Sequence, residues 1–290
     1  MAKKKFDIRI AIIAVLLAVL LAVVSTLAIV VAADLLNNYG GGKTDNSSQV
    51  SSVPVDNIDT SSTESEETPS VFVTPTGVEL DTKFSRLLLI NGSNPLPDDY
   101  DTNVRDYLVE IDENYRNNNY VTQIHKDVYP YITAMVAAAQ SDGVDLKVWS
   151  PFRSYSIQND LFQKQVERVG GDEAKAATVV ARPGTSEHNT GLCADFNMAD
   201  DAFEQTEMFT WMCENAEDYG FILRYPAEKQ SITGVIYESW HWRFVGIEVA
   251  KEMNSLGMTL EEYVEYKNLD PTMDMYTDDS ANKDIEQIID

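Results

Sequence analysis

The feature that most limits how this chain can fold is the run from Ile10 to Ala33, which carries no charged side chain and follows a basic cluster of Lys3, Lys4, Lys5 and Arg9. About 20 apolar residues span a bilayer, so the run predicts a transmembrane anchor within residues 1–33. The basic cluster should stay in the cytoplasm, which puts everything after Ala33 outside the cell. Signal-peptide cleavage is the competing reading, because Val31, Ala32 and Ala33 resemble a cleavage site, although a signal core is usually about 7 to 15 residues long. On either reading the rest of the chain folds outside the cell.

Residues 34–78 are rich in Ser, Thr, Asn, Gly and Asp, with a glycine triplet at Gly40 to Gly42. Such a segment cannot bury enough surface to offset its ordering entropy, so it reads as a disordered extracellular linker. By random-coil scaling a tether of about 45 residues reaches on the order of 35 to 40 Å. At the other end, residues 268–290 hold seven acids against one lysine and read as an acidic disordered tail. The whole chain has a formal charge of −25, which argues against nucleic acid, since phosphates reward Lys and Arg. With only Cys193 and Cys213 it is not a disulfide scaffold. An oxidising exterior permits a bond between them, and two separate buried thiols are the preferred arrangement.

The 190 or so residues over 79–267 suit one domain with its own core. Tyr131 to Gln140 shows helical spacing of apolar residues, with Gly143 as a stop. Asp145 to Trp149 alternates like a short strand that ends at Pro151, which puts Arg153 on a loop just beyond it. Helices are predicted over Tyr155 to Val169 and over Asp172 to Ala181, the second capped by Asp172. Gly191 offers a turn. After it, Leu192, Ala194 and Phe196 alternate with Asp195, just as Trp240, Trp242 and Phe244 alternate with His241, so both stretches read as strands with one packed face. The segment from Glu79 to Val121 gives no clear pattern.

Those two strands carry the chemistry. His188 and Asp195 in SEHNTGLCADF, and His241 in ESWHWRF, supply the nitrogen and oxygen donors that zinc favours. Two imidazoles and one carboxylate leave a fourth position for water, the arrangement of catalytic rather than structural zinc. Glu238, three residues before His241, is the carboxylate suited to take the water's proton. The alternative is that His188 and His241 are ordinary hydrogen-bonded histidines. His125, the third histidine of the chain, reads as a surface residue. Arg153 is either a structural ion-pair partner or a clamp for a carboxylate, which guanidinium grips with two parallel bonds. Tyr225 can line the same pocket.

The stretches SPFRSYSIQ, SEHNTGLCADF, GFILRYP and YESWHWRFVG, in this order, resemble the zinc D-alanyl-D-alanine carboxypeptidases of the VanY-like family, with lysostaphin and the hedgehog amino-terminal domain as more distant relatives. The resemblance covers roughly Thr122 to Tyr263. It implies that His188, Asp195 and His241 bind Zn2+ and that Glu238 is the catalytic base. It also implies that Arg153, Gln158 and Ser186 contact the terminal carboxylate of a peptide or the carbonyl under attack. The expected fold is α+β, a small antiparallel sheet bearing the zinc site and surrounded by helices. The expected activity is DD/LD trimming of terminal D-alanine from peptidoglycan stem peptides. A peptidoglycan endopeptidase, a dipeptidase and a non-catalytic zinc-containing module that binds wall peptides are the alternatives.

Two departures from the family pattern stand out. Ser239 replaces a usual proline between Glu238 and Trp240. In an unbroken strand Glu238 and His241 would face opposite sides, so a kink is required that Ser239 does not enforce. Cys193 replaces a small aliphatic residue on the same strand face as Asp195, about 7 Å away at the usual rise, where it can come near the metal.

Overall fold

Strict alternation in two short segments builds the centre of the molecule. The computed structural model describes residues 71–272; the expected membrane anchor and most of the linker and acidic tail lie outside the described residues. Among the described residues no helix is long and apolar enough to cross a membrane. Strands β5 (Val148–Ser150), β6 (Cys193–Phe196), β7 (Phe221–Leu223) and β8 (His241–Phe244) form an antiparallel sheet in the order β5-β6-β8-β7. Ala194, Phe196, Trp242 and Phe244 enter the main apolar cluster, leaving Asp195 and His241 to the opposite face.

The turn before β6 depends on Gly191. Its φ is +71°, and a Cβ there would lie 2.8 Å from the backbone nitrogen of His125, which itself donates to the Gly191 carbonyl at 3.1 Å. Only glycine adopts this backbone and tolerates this approach without strain. The contact joins β6 to β4 (Gln123–His125), which pairs with β3 (Leu108–Glu110).

Helix α1 (Tyr129–Ser141) packs Ile132, Met135, Val136 and Ala139 into the main cluster with almost no exposure. It starts two residues before the periodic segment because Pro130, in the first turn, lacks only an N–H that no helix uses there. Helix α2 (Tyr155–Arg168) begins at Ser154, whose hydroxyl accepts from the Ile157 N–H. Helix α3 (Glu173–Ala177) is capped by Asp172 as expected, yet it stops well short of Ala181. Val179, Val180 and Ala181 instead line a cleft.

The expected domain limits are too narrow on both sides. Strands β1 (Val71–Val73) and β2 (Glu79–Asp81) form a hairpin whose Leu80 is buried and whose Phe72 packs edge-on against Tyr219. This hairpin therefore lies partly inside the stretch that composition assigns to the linker. Leu269 packs on a second apolar cluster and the Leu89 N–H donates to the Pro271 carbonyl, so the fold also runs past 267. That second cluster joins Leu87 and Leu89, from the segment that sequence left undefined, to helices α5 (Ile247–Leu256) and α6 (Leu260–Tyr266), which follow helix α4 (Glu207–Asn215) in the chain. Thr259 and Glu262 close a reciprocal capping box at the start of α6, which satisfies two otherwise orphaned N–H groups.

Candidate active site

Strand register brings the two halves of the motif together. Asp195 in β6 is paired directly with His241 in β8, and non-sequential neighbours of this kind sit about 5 Å apart on one face. His188 arrives from the short turn Glu187–Asn189 that precedes β6. Asp195 Oδ1 lies 3.3 Å from His188 Nε2 and 3.3 Å from His241 Nδ1. It is buried and takes no hydrogen bond among the described residues. The other carboxylate oxygen, Oδ2, accepts from Arg153.

Each imidazole is oriented from its far side. His188 Nδ1 lies 2.7 Å from the Pro151 carbonyl, an oxygen that only accepts, so Nδ1 carries a proton and Nε2 is the nitrogen turned toward Asp195. His241 Nε2 lies 3.4 Å from Glu187 Oε2, and Nδ1 faces Asp195. This fits a cation: two ring nitrogens face one orphaned carboxylate oxygen, each 3.3 Å from it. A tetrahedron with bonds of about 2.0–2.1 Å has edges of about 3.3 Å.

Glu238 stands where a proton acceptor is useful, its Oε2 3.7 Å from His241 Nδ1. The kink required between them is a turn: the His241 N–H donates to the Glu238 carbonyl at 3.3 Å, and β8 begins only at His241. The Trp242 indole N–H donates to the Ser239 carbonyl at 2.9 Å, so Trp242 braces the turn in the absence of proline. Burial pushes the Glu238 carboxyl up to about 7, even though the neighbouring His241 works the other way. Burial also works against the ionised form of Asp195, but His188 and Arg153 outweigh it and hold its carboxyl well below the usual range.

These groups line a cleft of about 460 Å³, together with Arg153, Gln158, Ser186 and Tyr225. All the expected site residues therefore meet in one place. Arg153 donates through Nε to Ser150 Oγ at 2.8 Å and through Nη2 to Asp195, and Nη1 takes no partner among the described residues. Gln158 is buried and donates through Nε2 to the Ala181 carbonyl at 2.7 Å, while its Oε1 is unpartnered. Gln158 thus presents an acceptor, which suits a substrate N–H better than a carboxylate. The Tyr225 ring sits 4.9 Å from that of His241.

Some residues differ from expectation. His125 is buried, not on the surface; its ring stacks on Tyr107 at 5.8 Å, and the close approach of Gly191 seals it. Cys213 is exposed and Cys193 buried, and both are free thiols, so the two are separate as expected but only one is buried. Ligand-capable atoms of Cys193, His188 and His241 lie within 4.8 Å of one another. Burial pushes the Cys193 thiol up, but the two imidazoles outweigh it and bring it down to about 7.

Sequence reasoning missed a buried charge cluster. Glu187, Arg224 and Arg243 have fully buried side chains, and Glu187 Oε1 accepts from Arg224 Nε and Arg243 Nη1 at 2.7 Å each. Burial alone would raise the Glu187 carboxyl, yet the two arginines hold it well below the usual range. All three lie within the quoted motifs, and nothing in their spacing marks them as buried.

A cleft floored by an antiparallel sheet, with two oriented imidazoles, a carboxylate and a second, raised carboxyl, defines a hydrolase of the metal-ligand type. A family model described as D-alanyl-D-alanine carboxypeptidase, VanY, matches residues 121–247. A D-alanyl-D-alanine carboxypeptidase of Enterococcus faecalis is 37% identical over 185 residues, covering 61% of this chain and 65% of its own length. The solved structure of a Glu-to-Ala mutant of the vancomycin resistance D,D-pentapeptidase VanY, in complex with Zn(II), is 35% identical with a TM-score of 0.51, covering 61% of this chain and 98% of that one. The LD-carboxypeptidase LdcB is 33% identical with a TM-score of 0.52, covering 68% and 94%. The chain belongs to the VanY family of D-alanyl-D-alanine carboxypeptidases.

Proposed function

We propose that the protein is a zinc-dependent carboxypeptidase that removes a terminal D-alanine from peptidoglycan stem peptides, held at the outer face of the membrane by residues 10–33. The observation that carries this reading is the orphaned Asp195 Oδ1, equidistant from two ring nitrogens. The Zn(II) bound to the VanY mutant supports the choice of metal.

His188, Asp195 and His241 would hold the ion, and bound zinc would supply a Lewis acid that lowers the pKa of water toward neutrality. Glu238 takes the proton of the attacking water and returns it to the leaving amine of D-alanine. A carboxyl held near 7 suits both halves of that exchange, because the best acid–base catalyst titrates near the working pH. Arg153, fixed on two sides by Ser150 and Asp195, offers Nη1 to the carbonyl under attack or to the terminal carboxylate. The Ser186 hydroxyl assists at the carboxylate, Gln158 Oε1 accepts a substrate N–H, and the Tyr225 ring closes one wall.

The deciding experiment is incubation with defined tetrapeptide and pentapeptide muropeptides, followed by mass measurement of the products. Loss of one D-alanine from the pentapeptide assigns DD activity, and loss from the tetrapeptide assigns LD activity. Loss of a dipeptide or an internal cut would replace the carboxypeptidase reading by one of its relatives. Tight peptide binding without product at any pH would overturn it.

A further inference from the structure

The buried charges beside the site form a line that ends on a metal-ligand candidate. Glu261, on α6, takes both terminal nitrogens of Arg224 at 2.7 and 2.8 Å. Arg224 passes its Nε to Glu187 Oε1 at 2.7 Å. The other oxygen of Glu187 faces His241 Nε2 at 3.4 Å. Arg243 locks Glu187 from a third side, Nη1 to Oε1 at 2.7 Å, and is itself fixed by the Leu88 carbonyl at 2.8 Å and the Phe244 carbonyl at 2.9 Å.

Two carboxylates and two guanidiniums balance in charge, but burying them is a weak route to stability, because desolvation offsets much of the attraction. The inner end of the line explains it better. An ionised carboxylate only accepts hydrogen bonds, so in the neutral ring Glu187 keeps the proton of His241 on Nε2 and leaves Nδ1 as the lone-pair nitrogen toward Asp195 Oδ1. A histidine that binds metal is commonly held this way, its far nitrogen bonded to a carboxylate that sets tautomer and ring angle. His188 has a neutral carbonyl in the equivalent place, so the two rings are supported unequally and His241 is the more strongly polarised.

We propose that Glu187 is a positioning residue that sets the tautomer of His241, and that α6 belongs to the same support through Glu261 and Arg224. Helix α6 spans Leu260–Tyr266, beyond residue 247 where the family match ends, so this half of the support comes from outside the matched region. The affinity arm below rests on the metal reading given above; the tautomer arm does not.

The test uses the full chain. Nitrogen-15 spectra of the imidazoles, recorded on metal-stripped wild type at a pH high enough to leave both rings neutral, should show His241 as the Nε2–H form and His188 as the Nδ1–H form. An Nδ1–H form of His241 overturns the assignment to Glu187, whatever the protein does with metal. Zinc affinity is then measured by chelator competition. Glu187→Gln should bind about 10- to 100-fold more weakly, and Glu261→Gln should shift the same way by a smaller factor. A folded Glu187→Gln protein with wild-type affinity and an unchanged His241 tautomer overturns the proposal. Should Glu187→Gln fail to fold, Glu261→Gln still decides: wild-type affinity in that folded variant removes α6 from the support. Wild type that takes up no zinc sinks the metal reading instead, while the spectra alone still judge Glu187.

Discussion

Asp195 and His241 face one another across neighbouring strands, with Asp195 Oδ1 3.3 Å from His241 Nδ1 and no hydrogen bond to that oxygen from any described residue. A buried, unpaired carboxylate oxygen costs several kcal/mol unless something positive satisfies it. Asp195→Ala should therefore abolish stoichiometric zinc, measured by elemental analysis after gel filtration. It should also free Arg153 Nη2. Full zinc occupancy in a folded Asp195→Ala protein would remove Asp195 from the ligand set.

Glu238 touches the site without belonging to the set of His188, Asp195 and His241. Glu238→Gln keeps the shape and loses the proton acceptor, so zinc content should be unchanged while turnover on a D-alanine-terminated peptide falls by roughly 10²- to 10⁴-fold. Equal activity in the two proteins would take the acid–base role away from Glu238.

The thiols give a check on the fold itself. Cys213 is exposed and Cys193 is not, so a thiol reagent should modify one equivalent quickly in the native protein and the second only on unfolding. Two fast equivalents would show that the floor of the cleft opens, and none would show that the cysteines are bonded.

His125 predicts a pH dependence of stability. Burial lowers its pKa from 6.5 to about 4, against the opposing pull of Asp127. A depressed pKa means that the folded protein keeps the ring neutral while the unfolded chain protonates it, so the contribution is present above pH 6.5 and is lost as pH falls from about 6.5 to 4. The loss is on the order of 3 kcal/mol. Other groups titrate in that window, so the measurement is the difference between wild type and His125→Phe in denaturant midpoints at pH 7.5 and pH 4. A difference that does not change with pH would show that His125 is protonated equally in both states.

Much of the site was legible because strands write their two faces into alternate letters. Asp195 and His241 alternate with Ala194, Phe196, Trp242 and Phe244, and one pairing of the strands brings both donors together. The placement of Glu238 was not legible, because it depends on a turn held by the Trp242 indole and the Ser239 carbonyl, a contact between side chain and backbone that leaves no periodic trace. Glu187, Arg224 and Arg243 were invisible for another reason: charged letters default to the surface, and only tertiary pairing makes their burial affordable. His125 was misjudged on the same default. The strand Val71–Val73 was hidden by a flanking composition of Ser and Thr that outweighed its three apolar letters.

Strands β6 and β8 are the two interior members of the sheet, each flanked on both sides. The distance between Asp195 and His241 is accordingly ruled by the ladder of backbone bonds, and neither can drift unless the sheet itself comes apart. Part of the cleft wall is different in kind: residues 179–181 and 235–236 belong to connecting segments. A chain built this way has a rigid anvil beneath an exchangeable rim, and its choice of peptide can be reshaped by evolution or by design while the chemistry below stays in register.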